Sequence, residues 1–267
     1  MQTLVTAEEA LGNRGLVRFI DARRDAEAYA TAHVAGAVHA DLETDLSAVD
    51  DPAAGGRHPL PTPAAWAATL GAWGITPETQ VYVYDDTGGA VAAARTWWML
   101  HAAGHRRAAV VDGGWAALCD AGAPLSNDAP EPADTAPGPF AEWQLPTVDF
   151  AEVADRRERA DSRLIDVRAA KRWRGDTEPL DPVAGHIPGS VNLPLTENLG
   201  PDGHFLPAAE LRATYLEALG GVPPERAILQ CGSGVTACHG LLAMAHAGLP
   251  GAALYVGSWS EWCRRVP

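Results

Sequence analysis

The residues best placed to do chemistry lie in one stretch, Ile228-Leu229-Gln230-Cys231-Gly232-Ser233-Gly234-Val235-Thr236-Ala237-Cys238. The apolar run before Cys231 reads as a buried strand, and the Ala- and Leu-rich run from Thr236 to His246 reads as a helix. Cys231 therefore stands at the mouth of a strand–loop–helix turn. Gly232 and Gly234 free the loop to curl with its backbone N–H groups turned inward, and the helix N-terminus adds partial positive charge at the same place. A thiolate held there is stabilised as a nucleophile, and the same cradle suits a small anionic substrate. The competing reading is a cysteine that packs as a small buried hydrophobe.

The elements around this stretch occur twice. In the first half, Thr6 is an N-cap for a short helix reaching about Gly12, with Glu8 and Glu9 in its first turn. Strands are expected over Leu16–Ile20, Val81–Tyr84 and Ala108–Val111, and helices over Pro63–Trp73 and Ala90–Ala103. In the second half, strands are expected from Arg163 to Val167, into Cys231, and over Ala253–Val256, with a helix around Ala208–Leu219. The landmarks recur in order, offset by about 145 residues: Ile20-Asp21-Ala22-Arg23 with Ile165-Asp166-Val167-Arg168, a His-x-x-Gly segment at His33 and at His186, and Gly113-Gly114-Trp115 with Gly257-Ser258-Trp259. This is an internal duplication. Alternating strands and helices make each half an α/β unit with a mainly parallel central sheet flanked by helices.

Ligands of such sheets bind beyond the carboxyl ends of the strands. Asp85 holds that place in the first half and Cys231 in the second, so only the second half has a nucleophile there. Ser126 to Pro139, rich in Pro, Ala, Asp and Glu, reads as the connection. The expected division is 1–125, a linker over 126–146, and 147–267.

The chain has 267 residues, enough for two domains of ordinary size. A net charge of −14 argues against nucleic acid or an anionic membrane as partner. No apolar stretch is long enough to span a bilayer, and the segment from Met1 lacks the basic-then-apolar pattern of an export signal. The four cysteines, at 119, 231, 238 and 263, have neither CxxC nor zinc spacing, so no metal site or other cofactor is expected. A reducing, cytoplasmic setting is expected for a free thiol. Cys119, Cys238 and Cys263 read as core or surface residues; Cys238 could reach Cys231 across one helical turn in a regulatory disulfide, but helix geometry places it on the far side of the loop.

The run Cys231-Gly232-Ser233-Gly234-Val235-Thr236-Ala237 resembles the active-site loop of the tandem-domain rhodanese superfamily, the 3-mercaptopyruvate and thiosulfate sulfurtransferases, and the resemblance extends over nearly the whole chain. It implies two rhodanese-like domains, the first a catalytically inactive copy, with the site where the domains face each other. It also implies a Cys231 persulfide that carries sulfur from a small anionic donor to a thiol acceptor such as thioredoxin or glutathione, or to cyanide. Gly232, Gly234, Val235 and Thr236 would line the donor. Arg172, in Arg168-Ala169-Ala170-Lys171-Arg172-Trp173-Arg174-Gly175, aligns with the substrate-binding arginine of the family; an arginine grips a carboxylate through two parallel hydrogen bonds. Arg174 is a further candidate, and both compete with the reading of an ordinary solvated basic face. Ser233 would belong to a proton relay with His58 and Glu43. A monomer is expected.

The sequence departs from the pattern in two places. Thiosulfate-specific members tend to carry basic residues just after the cysteine, where this chain has Gly232 and Ser233. The second arginine of the eukaryotic-type mercaptopyruvate enzymes is missing from Thr177-Glu178-Pro179-Leu180-Asp181-Pro182. Two other readings compete. A cysteine phosphatase or arsenate reductase would end the loop with an oxyanion-clamping arginine, and Ala237 stands in that place. A non-turnover sulfur carrier would keep the same loop, and turnover of small donors separates it from an enzyme.

Overall fold

The computed structural model describes residues 2–13, 16–130 and 140–266. They pack as two units, and each takes in a short piece from the other half of the chain. The first comprises Met1–Ala48, Pro61–Gln144 and Asp202–His204, and the second Val49–Leu60, Leu145–Pro201 and Phe205–Pro267. The division expected from sequence was continuous along the chain, whereas the packing assigns Val49–Leu60, which contains His58, to the unit that holds Cys231.

The first unit contains β1 (Leu4–Val5), β2 (Val17–Asp21), β3 (His33–Val34), β4 (Val38–His39), β5 (Gln80–Tyr84), β6 (Ala108–Val111) and β7 (Leu125–Ser126). The second contains β8 (Thr147–Val148), β9 (Arg163–Asp166), β10 (Val191–Asn192), β11 (Ala227–Gln230) and β12 (Ala253–Tyr255). Five strands of each unit form a parallel sheet, in the orders β1-β6-β5-β2-β4 and β10-β9-β11-β12-β8. Read from opposite edges these orders are the same, which is the duplication expressed as topology. β3 and β7 form a separate antiparallel ribbon.

The central strands, β5 and β11, are covered on both faces, and all four residues of β6 and of β11 are buried. A parallel sheet demands this cover, and the continuous apolar runs supply it. Register fixes the strand ends: Asp21 pairs with Tyr84, and Asp166 with Gln230. Asp85 and Cys231 are therefore each the first residue beyond the central strand of their sheet.

Helix starts follow local chemistry. Thr6 and Asp149 each form a capping box, with Glu9 and Glu152 respectively, at corresponding places in the two units. The helices that follow the central strands run over Ala92–Ala102 and Ala237–His246. The duplicated Asp-x-Arg pairs act as internal braces. Arg23 grips Asp21 at 2.6 Å, lies over Trp115 and donates to the Ala32 carbonyl. Arg168 grips Asp166 at 2.7 Å, lies over Trp259 and donates to the Gly185 carbonyl. The duplicated histidines stack on aromatic rings and bond to carbonyls, His33 on Tyr29 and His186 on Trp173.

Within the expected linker, residues 131–139 lie outside the described residues. On either side the chain is packed. Ser126 belongs to the ribbon, Trp143 meets Trp98 with ring centres 5.9 Å apart, and the Gln144 N–H bonds to the Ala102 carbonyl. Aromatic side chains at Phe140 and Trp143 give this stretch apolar area to bury, which the flanking composition had masked.

Candidate active site

The loop from Cys231 to Thr236 joins β11 to the helix Ala237–His246 and is held by the start of the helix Ser258–Arg265. The Cys231 N–H donates to Ser258 Oγ at 3.1 Å, the Trp259 N–H to the Cys231 carbonyl at 3.0 Å, and the Ser260 N–H to the Gly232 carbonyl at 2.9 Å. Gly234 has φ +79°, and a β-carbon there would collide with the Val256 carbonyl, so this turn requires glycine. The Val235 and Thr236 carbonyls accept the Cys238 and His239 N–H groups, which starts the helix. Cys231 itself is buried, 2% exposed.

The equivalent loop of the first unit holds a carboxylate of its own. There the residue after the central strand is Asp85, braced like Cys231: the Trp115 N–H donates to the Asp85 carbonyl at 2.8 Å. Its carboxylate receives five donors from its own loop and helix start. Oδ1 accepts the Thr87 N–H, the Thr87 hydroxyl and the Gly89 N–H at 2.8–2.9 Å, and Oδ2 accepts the Val91 and Ala93 N–H groups at 3.0 and 3.1 Å. This loop of the first unit is an anion cradle filled by its own side chain. A cysteine at that place provides a nucleophile where the copy has a fixed anion.

Two arginines stand over the loop. A β-carbon at Gly232 would lie 3.2 Å from Arg57 Nη2 and 3.4 Å from both terminal nitrogens of Arg172. Arg57 comes from the Val49–Leu60 segment. Gly56, at φ +85°, lets that segment touch the backbone of Gly257, and the Arg57 N–H bonds to Ser260 Oγ at 3.1 Å. Next to it, His58 Nδ1 lies 2.7 Å from Ser233 Oγ. The segment thus brings an imidazole and a guanidinium to the cysteine loop. A second guanidinium thus reaches the loop from a segment far upstream of Thr177–Pro182.

Buried carboxylates hold both arginines. Glu178 takes Arg172 through two bonds, at 2.6 and 3.2 Å, and also meets Arg168 at 3.4 Å. Asp181 pairs with Arg57, with Arg264 at 2.8 Å and with Arg172 at 3.7 Å.

Of the residues singled out from sequence, Cys231, Gly232, Ser233, His58 and Arg172 come together in the second unit. Arg174 is half-exposed and paired with Asp176 at 2.8 Å. Glu43 belongs to the first unit, is exposed, and has Arg24 4.0 Å away. Cys119 is exposed, whereas Cys238 and Cys263 are buried; Cys238 Sγ points back to the Gly234 carbonyl at 3.4 Å. Sequence reasoning missed Arg57, Ser258, Glu178 and Asp181. The adjacency of Arg57 to His58 was the one available signal. Nothing in the sequence pattern says that Glu178 and Asp181 face inward.

The rhodanese-like domain family matches this chain twice, over residues 4–121 and 149–265. A probable 3-mercaptopyruvate sulfurtransferase of Pseudomonas aeruginosa is 45% identical over 240 residues, which is 89% of this chain and 83% of that protein. The thiosulfate sulfurtransferase of Bos taurus is 36% identical over 245 residues, covering 90% and 80%. Among solved structures, the 3-mercaptopyruvate sulfurtransferase from Leishmania major superposes with a TM-score of 0.86 at 30% identity, over 99% of this chain and 75% of that one. The chain belongs to the rhodanese-like family, as a tandem-domain sulfurtransferase.

Proposed function

We propose that the second unit moves sulfur from 3-mercaptopyruvate to a thiol through a persulfide on Cys231. The observation that carries this reading is the 2.7 Å contact between His58 Nδ1 and Ser233 Oγ, two residues from the cysteine. The Cys231 thiolate attacks the donor's sulfur. A sulfur–sulfur bond forms, the carbon–sulfur bond breaks, and its electron pair leaves as the enolate of pyruvate. Ser233, backed by His58, delivers the proton that converts enolate to pyruvate. Backbone N–H groups and the guanidiniums of Arg57 and Arg172 hold the carboxylate and the developing charge. An acceptor thiolate, or cyanide, then attacks the outer sulfur, and Cys231 leaves as thiolate. Thioredoxin and glutathione are the acceptors that fit, in a cytoplasmic, monomeric protein. Glu43 as a third relay member and Arg174 as a donor contact stay part of this proposal. Among the described residues no helix is long and apolar enough to cross a membrane.

A second reading has its own support: two guanidiniums over Gly232 also suit the sulfonate end of thiosulfate. Kinetics with both donors separate the readings. A preference for 3-mercaptopyruvate is expected, with Ser233→Ala and His58→Ala lowering kcat for that donor more than for thiosulfate, which releases sulfite and needs no proton at carbon. Faster turnover of thiosulfate, with both donors slowed equally by Ser233→Ala, would overturn the relay.

A further inference from the structure

The guanidiniums over Gly232 do not stand alone, and the side chains of their counter-charges are buried. The Asp181 side chain is 0% exposed and that of Glu178 is 3% exposed. Asp181 is the hub of the cluster. One oxygen meets both Arg57 and Arg264, and the other faces Arg172 at 3.7 Å without a hydrogen bond. It therefore ties the arginine of the Val49–Leu60 segment to the arginine of the helix Ala170–Arg174. Glu178 fixes Arg172 from the other side. The Arg168–Asp166 pair is neutral in itself.

Three guanidiniums, of Arg57, Arg172 and Arg264, face two carboxylates, of Asp181 and Glu178, and one net positive charge remains. A buried charge must be balanced by its surroundings or it is strongly disfavoured. That charge offsets the Cys231 thiolate, so the site is near neutral before a donor enters. A monoanionic donor then adds one negative charge beside Cys231 and a dianion adds two, so the dianion is the more strongly disfavoured.

We propose that Asp181 sets the net charge of the donor site and thereby selects a monoanionic sulfur donor over a dianionic one. This rests on the sulfur-transfer reading above. Asp181 touches no donor atom; it acts by positioning Arg57 and Arg172 and by cancelling one of their charges. Arg264, on the far side of the hub, contributes to the same balance.

The test uses the full-length protein and the ratio of kcat/KM for thiosulfate to that for 3-mercaptopyruvate. Asp181→Asn keeps shape and removes one negative charge, and should raise the ratio about tenfold, as one added charge a few ångströms away implies in a partly screened site. Arg264→Gln removes one positive charge and should lower the ratio by a similar factor. The double variant restores the net charge and should return the ratio to near the wild-type value. A loss of packing alone would slow both donors together and would not cancel in the double variant. Ratios unchanged in both single variants, in a wild type that turns over 3-mercaptopyruvate, overturn the role of Asp181 and leave the donor reading intact. A wild type that turns over neither donor overturns the reading itself. Should Asp181→Asn fail to fold, Arg264→Gln decides alone: a lowered ratio supports the proposal and an unchanged one overturns it.

Discussion

Ser258 accepts the backbone N–H of Cys231 at 3.1 Å while donating its own hydroxyl proton to the Tyr255 carbonyl at 2.8 Å. It does so from a left-handed backbone conformation, φ +52°, and is the one non-glycine residue with positive φ among the described residues. The corresponding residue of the first unit is Gly114, with φ +58°. The unit with the cysteine thus accepts the strain of a β-carbon there and obtains a hydroxyl that holds the Cys231 backbone. Ser258→Ala should keep the strain, orphan the buried N–H, and destabilise the protein by about 1–3 kcal/mol. Ser258→Gly should be less destabilised, because the strain is relieved. Both should lose sulfur-transfer rate to a similar degree, since both lose the hydroxyl. Urea denaturation beside steady-state kinetics checks the split.

Cys231→Ser should abolish sulfur transfer with the fold intact. Donor treatment of the wild type should add one sulfur, about 32 Da, to the peptide carrying Cys231, as a persulfide intermediate requires. Mass spectrometry reads this directly, and an adduct on Cys238 instead would contradict the assignment.

Arg57→Ala and Arg172→Ala should each raise KM for an anionic donor, by roughly tenfold to a hundredfold for loss of a charged hydrogen-bonding contact of about 1.5–3 kcal/mol. Arg168→Ala should behave differently. Its guanidinium neutralises Asp166, whose side chain is fully buried. Removing it should destabilise the fold by about 3–5 kcal/mol. Thermal melts and donor titrations on the three variants separate binding from folding.

Asp85→Ala should leave KM for the donor unchanged and destabilise the first unit, because five donors lose their acceptor at once. A loss of at least about 2 kcal/mol is expected. Denaturation followed by hydrogen exchange would locate the loss in the β5–helix junction.

His101 and His239 should make the protein acid-labile. Burial lowers each from the ordinary 6.5 to about 4, His101 between the Gln2 and Ala108 carbonyls and His239 stacked on Phe205. Both are neutral in the fold, whereas the unfolded chain takes up protons below its own pKa. The stability is present above pH 6.5 and is lost as pH falls towards about 4. Each histidine contributes roughly 3 kcal/mol to that loss. Urea titrations across this range should show the slope, and His239→Gln should remove part of it.

Much of this protein is decided by its sequence alone. The two halves, their mainly parallel sheets, the capped helix at Thr6 and the place of Cys231 at the end of a strand all follow from short-range patterns. Apolar runs, glycines at turns and a duplicated set of landmarks act over a few residues, so each is visible in the linear chain. The equivalence of Asp85 and Cys231 is legible for the same reason. What only the tertiary structure decided is everything that depends on distant segments meeting. Val49–Leu60 reads as a polar loop of the first half, yet it packs with the second unit and brings Arg57 and His58 to the cysteine loop. Glu178 and Asp181 lie in a stretch whose sequence stands out only for a missing arginine, and burial turns them into the counter-charges of the arginine cluster. Ser258 reads only as part of the repeated Gly257-Ser258-Trp259 landmark, and its φ and its bond to Cys231 are visible only in the fold. The physical reason is common to all three. A charge or a strained backbone has its meaning from what surrounds it. Ser258 and the Val49–Leu60 segment meet partners 27 to 203 residues away, and Glu178 meets Arg172 six residues away only because the chain between them folds back, so none of these meetings leaves a local trace.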